Sequence, residues 1–172
     1  MSDRAFDRIV ESLDQPLVVV TTAVGDERAG CLAGFHAQSS IDPGRYCLWL
    51  SKANHTYRVG LRASSFAVHL LREEDRALAA AFGTRTGEDV DKFADVGWTA
   101  GPGGVPLLDD CPNRLVLERI ALLDEGSDHV CLTAEIVDAE CVERFAPLRL
   151  SAVADLEPGH DSAERAPLWR AR

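Results

Sequence analysis

The run Leu17-Val18-Val19-Val20-Thr21-Thr22 constrains this chain most, because five of its six residues are β-branched and the turn pair Gly25-Asp26 follows almost at once. Such side chains suit a pleated, buried strand better than a helix. The turn then sends Arg28 to Phe35 back antiparallel. The same pattern recurs at Tyr46–Leu50, Ser65–Leu71, Arg114–Leu123 and His129–Val137, the last two joined by Asp124-Glu125-Gly126-Ser127. A final strand is expected near Leu148–Val153. No regular strand–helix alternation is present and no G-x-G-x-x-G follows the first strand, so a small mainly β barrel is favoured over a doubly wound sheet.

Helices are expected at the margins. Ile9, Val10 and Leu13 have helical spacing over Asp7–Asp14, which Pro16 ends. Asn54 is placed to cap a helix from His55 to about Ala63. Glu73–Phe82 and Glu88–Ala94 read as helical, the second closed by Gly97. Residues 99–112, with "GPGGVP", read as a surface loop.

At 172 residues the chain fits one domain, expected over 1–157, with a polar tail over 158–172 that is exposed or lies on a partner. A net charge of −10 argues against nucleic acid and anionic membrane surfaces as partners. There is no long apolar run and the acidic first residues do not resemble a secretory signal, so cytoplasmic residence is expected. Five cysteines without a CxxC pair and five histidines without ligand spacing predict neither a disulfide framework nor a protein-bound metal.

Three segments carry candidate chemistry. In "AGCLAGFHAQSSIDPGRY", residues 29–46, Gly34 and Ala37 give up side-chain volume beside a polar strip that includes His36, Gln38 and Ser39. A flat ligand such as a flavin ring can approach the backbone there. Equally, Gly30 and Gly34 can mark bulges in a bent strand, with His36 and Gln38 merely solvated. In "SKANHTYR", residues 51–58, Ser51, Asn54, Thr56, Lys52 and a helix start suit a phosphate; ordinary capping explains Ser and Asn as well. In "GSDHVCLTAEIV", alternation puts Val130, Leu132, Ala134 and Ile136 on one face and His129, Cys131, Thr133 and Glu135 on the other. His129 at the strand entrance is a surface residue or, beside a redox cofactor, a positioning group. His69 reads as a hydrogen-bonded inner histidine. "FGTRTGEDVDKF" is a helix rim or a flap.

Taken in order, these pieces resemble the flavin reductase-like family of FMN-binding split barrels from about Leu13 to Cys141. The resemblance lies in the Val-rich strand ending Thr-Thr, the Ala-Gly pair, the polar run and Asp-Pro, then in "FGTRTGEDVDKF" with Trp98, "PLLDD", and the Gly…Asp-His strand. It implies a six-stranded Greek-key split barrel with a few peripheral helices, dimerised with one FMN near the subunit interface. The polar run from Gly34 through Phe35, His36, Ala37, Gln38 and Ser39 would contact the ring. Ser51 and Lys52, with Asn54 and Thr56, would hold the phosphate, and His129 would lie near flavin and nicotinamide.

The implied activity is NAD(P)H-dependent flavin reduction, with reduced flavin passed to an oxygenase partner or used directly. One departure bears on this. Family members commonly read Thr-Ala-Ser-Ser where this chain reads Leu32-Ala33-Gly34-Phe35, so three hydroxyls are lost. At about 0.5–1.5 kcal/mol each, that loss weakens FMN binding by one or two decades without abolishing it. FAD, the deazaflavin F420 or haem therefore stay open as cofactors. A non-catalytic flavin carrier and a dimeric interaction module stay open as roles.

Overall fold

The β-branched runs pair as one antiparallel sheet. The computed structural model describes residues 3–159. Its strands are β1 (Val18–Val24), β2 (Glu27–Ala33), β3 (His36–Ser40), β4 (Arg45–Ser51), β5 (Ser65–Leu70), β6 (Trp98–Ala100), β7 (Pro106–Leu108), β8 (Arg114–Leu123) and β9 (His129–Glu140). Seven of them form a sheet in the order β2-β1-β5-β8-β9-β4-β3, and β6 and β7 make a separate hairpin. The helices are α1 (Asp3–Leu13), α2 (His55–Gly60) and α3 (Arg76–Gly83).

One connection dictates the shape. β2 and β3 are separated in sequence only by Gly34 and Phe35, yet they form opposite edges of the sheet. Two residues of extended chain span only about 7 Å. The sheet must therefore curl until its edges approach, which makes a split barrel rather than an open sheet.

Inside the curl lie Val18, Val20, Leu48, Leu50, Phe66, Val68, Leu117 and Leu132. A second cluster, with Val19, Leu71, Ala79, Phe82, Phe93 and Leu148, covers the outer side of β1. Burial on both faces explains why β1 reads as an unbroken apolar run rather than an alternating one. Gly30 serves this packing. Its register with Thr21 is continuous, so it is not a bulge; a Cβ there would stand 2.6 Å from Cε1 of the buried Phe82.

Elsewhere the structure departs from the expectations. The main sheet has seven strands, not six, because the polar run 36–40 is itself an edge strand whose outer side faces water. Residues 88–94 form turns rather than a helix: Lys92 is drawn inward to two carbonyls, and the Asp91 carboxylate accepts from Phe93 N at 2.9 Å. The surface loop of 99–112 contains β7 and completes the small hairpin. Leu148 bridges the splayed ends of β1 and β5, its carbonyl accepting from Leu17 N at 2.8 Å and its N–H donating to Leu71 O at 2.9 Å. The chain then turns into a short 3-10 helix, Leu150–Val153, instead of continuing as a strand. Most of the predicted tail, from residue 160 on, lies outside the described residues.

His69 is the inner histidine expected. It is fully buried; Leu108 N donates to Nε2 at 3.0 Å, so Nδ1 carries the proton and faces Val19 O at 3.2 Å. Burial, its largest influence, holds its pKa down at about 4.

Candidate flavin site

The seam between the two sheet edges opens into a cavity of about 720 Å³, within the roughly 300–1,000 Å³ usual for small-molecule sites. One wall is the β2–β3 join, with Leu32, Gly34 and Phe35. Another comes from β4 and the turn after it, with Trp49, Ser51 and Asn54. His129 also lines the cavity, as do Phe82, Gly83, Arg85 and Lys92.

Local chemistry fixes these groups. Phe35 O accepts from Trp49 N at 2.9 Å, which holds the join against β4. Ser51 is the register partner of His129, so strand pairing alone brings a hydroxyl and an imidazole together. The imidazole Nδ1 lies 3.1 Å from Asp128 Oδ1. That contact holds the Asp128 carboxyl below its ordinary range and leaves Nε2 as the nitrogen available to a ligand. Asn54 caps α2 through Oδ1, which accepts from Thr56 N at 3.0 Å. Its amide nitrogen is left as a donor.

Not every predicted residue reaches the cavity. Gly34, Phe35, Ser51, Asn54 and His129 line it. His36 lies on β3 with its ring tied to Tyr46 Oη at 2.7 Å and Pro16 O at 3.0 Å, and burial lowers its pKa. Ala37, Gln38 and Ser39 continue that edge strand and are exposed. Lys52 donates to Asp124 at 2.7 Å and is not among the lining residues. Thr56 is fully buried, its hydroxyl beside the Cys31 thiol, which burial pushes up in pKa.

Sequence reasoning missed one contributor and left a second, the segment "FGTRTGEDVDKF", open between a helix rim and a flap; Phe82, Gly83, Arg85 and Lys92 of that segment line the cavity. Leu150, Val153, Leu156 and Pro158 form a strap that walls the cavity. It is anchored by Arg76 on Asp155 at 2.6 Å and by Ser151 N on Asp14 at 2.8 Å. The three-residue recurrence of its apolar positions is the signal of a 3-10 turn. Lys92, nearly buried, borders the cavity while donating to Phe82 O at 2.7 Å and Gly30 O at 3.2 Å, and burial lowers its pKa. Among the described residues no group of three or more His, Cys, Asp or Glu could hold a metal ion, and no helix is long and apolar enough to cross a membrane.

A curled antiparallel sheet with a ligand-sized cavity at the meeting of its edges defines a split-barrel binding protein. Residues 10–151 match the family model described as the flavin reductase like domain, and the chain belongs to that family. It is 29% identical to the high molecular weight rubredoxin of Moorella thermoacetica, over 82% of this chain and 62% of that protein. It is 27% identical to the FMN reductase (NADH) SmoA of Agrobacterium fabrum, over 80% of this chain and 76% of that one. To HsaB of Rhodococcus jostii, the reductase subunit of a flavin-dependent monooxygenase, it is 34% identical over 53% of this chain and 46% of that one. The chain thus spans less than two thirds of the first and third of these relatives. The solved NADH:FAD oxidoreductase SgcE6 of Streptomyces globisporus C-1027 superposes with a TM-score of 0.70 at 26% identity, covering 86% of this chain and 85% of that one.

Proposed function

We propose that this protein is an NAD(P)H-dependent flavin reductase that binds FMN in the seam cavity. The observation that carries the reading is the convergence, in a chain of this family, of Gly34, Phe35, Ser51, Asn54 and His129 on one cavity. The donor set suits the ligand. Leu32, Phe35 and Trp49 offer apolar surface to a flat ring, while Ser51, the Asn54 amide and His129 Nε2 offer hydrogen bonds at its margins.

When bound, the flavin supplies the hydride chemistry: NAD(P)H + H⁺ + FMN gives NAD(P)⁺ + FMNH₂. The protein's part is to bind and align. Phe35 and Trp49 bound the ring's space, Ser51 and Asn54 orient the polar end, and the strap keeps water from the inner wall. His129, held by Asp128, positions the polar edge of flavin or nicotinamide through Nε2. No side chain has to act as an acid or base.

Two copies are proposed to associate, which would cover the exposed apolar stripe of Phe6, Ile9 and Leu13 on α1. Residues 1–157 would act as one unit with the following tail as a polar extension. Five free thiols suit a reducing, cytoplasmic setting. Transfer of reduced flavin to an oxygenase is the proposed onward step, by analogy with the HsaB relative.

One observation favours a second cofactor. Phe35 stands where a ring-binding hydroxyl is common, and the deazaflavin F420, with carbon in place of the accepting N5, asks the protein for one donor fewer. A single set of titrations tests both cofactors. FMN is expected to lose fluorescence on adding the protein, and NADH or NADPH to be oxidised when FMN is present. Selective F420 binding would replace FMN in the scheme, flavin binding without nicotinamide oxidation would leave a carrier, and no binding of either would leave an interaction module.

A further inference from the structure

The cavity holds a cation that the reading above does not use. Lys92 is committed to two carbonyls and His129 to Asp128. Arg85, by contrast, lines the cavity with an exposed side chain and reaches no acceptor among the described residues. Among the described residues the one carboxylate sharing the lining, Glu157, forms no ion pair with it. Meanwhile Lys52, the cation that sequence favoured for a phosphate, is bound to Asp124 instead.

Placement gives Arg85 its meaning. It follows the C-terminal Gly83 of α3, and that turn lies directly on β2: a Cβ on Gly83 would stand 2.9 Å from Leu32 Cδ2. Two residues further on, a Cβ on Gly87 would stand 3.0 Å from Cδ2 of His55, which adjoins Asn54. The loop bearing Arg85 therefore packs on the segment bearing Ser51 and Asn54 through Gly87 and His55, which lie outside the cavity, while Arg85, Ser51 and Asn54 themselves all line it. A guanidinium fork is suited to phosphate oxygens, and this one has no carboxylate partner to give up among the described residues.

We propose that Arg85 is the phosphate-binding cation of this cavity, the residue through which it distinguishes a phosphorylated nucleotide from its unphosphorylated counterpart. The inference rests on the flavin reductase reading and adds a specificity residue to it. The phosphate belongs either to FMN or to the nicotinamide dinucleotide, and one experiment separates these sources.

The full chain, as wild type, Arg85→Gln and Arg85→Lys, is titrated with FMN and with riboflavin, and the KM for NADH is measured at saturating flavin. For Arg85→Gln, FMN is expected to bind about 10- to 100-fold more weakly while riboflavin changes less than about twofold. Arg85→Lys should recover part of the loss, since it restores charge without the fork. If the phosphate is that of the dinucleotide, both flavins bind unchanged and the KM for NADH rises by a similar factor. Parallel weakening of FMN and riboflavin with an unchanged KM overturns the proposal, as does no change in any of the three. Wild-type protein that binds neither flavin overturns the flavin reading itself, a result distinct from both. Arg85 is exposed, so an unchanged thermal midpoint is expected and verifies that the variants fold.

Discussion

The ring of Phe35 stands edge-on to the imidazole of His129, with centroids 5.2 Å apart and planes at 63°. Phe35 comes from the join between the sheet edges and His129 from the start of β9. The contact therefore spans the seam and places an aromatic wall beside the one histidine that lines the cavity among the described residues. Aromatic pairs of this kind contribute about 0.5–1.5 kcal/mol beyond the area they bury.

Phe35→Ala tests that wall. Loss of a ring against which a flavin can stack should weaken FMN binding by about 2- to 12-fold, read by fluorescence titration. Phe35 is 51% exposed, so the thermal midpoint should move by no more than a degree or two. Tighter FMN binding in Phe35→Ala would mean that the ring obstructs the site.

His69 makes a pH prediction. Its folded pKa near 4 lies below the ordinary 6.5, so the unfolded chain takes up a proton first as pH falls. The stability associated with neutral His69 is complete above pH 6.5, declines from there to pH 4, and is flat below. At about 1.4 kcal/mol per pH unit, the loss is roughly 3 kcal/mol. Half-buried His36, also lowered, acts in the same direction. Urea unfolding at pH 7.5 and 4.5 should reveal this slope, and His69→Gln should flatten it while lowering stability at pH 7.5.

Gly30→Ala tests the close approach of β2 to Phe82. A methyl 2.6 Å from that ring and 3.2 Å from Val20 O forces a shift in a packed region. A loss of about 1–3 kcal/mol is expected in denaturant unfolding, with the denaturant slope unchanged.

Arg76→Ala tests the strap. The Arg76 guanidinium holds both oxygens of Asp155 at 2.7 and 2.6 Å and also reaches Ala152 O. Because these contacts are exposed, global stability should fall by no more than about 1 kcal/mol. Amide exchange at Leu156 should nevertheless rise severalfold and bound FMN should dissociate faster, since the strap opens locally.

Strands were legible in the sequence where burial left a pattern: β1 and β5 lie close to their expected bounds because their residues are pinned from both sides, and β8 and β9 because apolar positions on one buried face alternate with more exposed ones. β3 was not, because an edge strand has one side in water and its His-Ala-Gln-Ser-Ser sequence reads as loop. Within the site, His129 and Ser51 sit on paired strands, and alternation put His129 on the face opposite Val130. Arg85 lies in the segment "FGTRTGEDVDKF" that the sequence marks as a rim or flap, but nothing there distinguishes it from the neighbouring polar residues. The importance proposed for it comes from having no partner among the described residues, which no spacing encodes. Lys52 misled for the mirror-image reason: Asp124 lies 72 positions away and claims it.

The two-residue bridge of Gly34 and Phe35 has a mechanical consequence. A molecule lodged beside it touches both margins of a single sheet at once, so it works as a rivet across the barrel's slit. Occupancy should then stiffen strands far from the ligand, and the breathing of the slit should join the strap in limiting how fast cargo leaves.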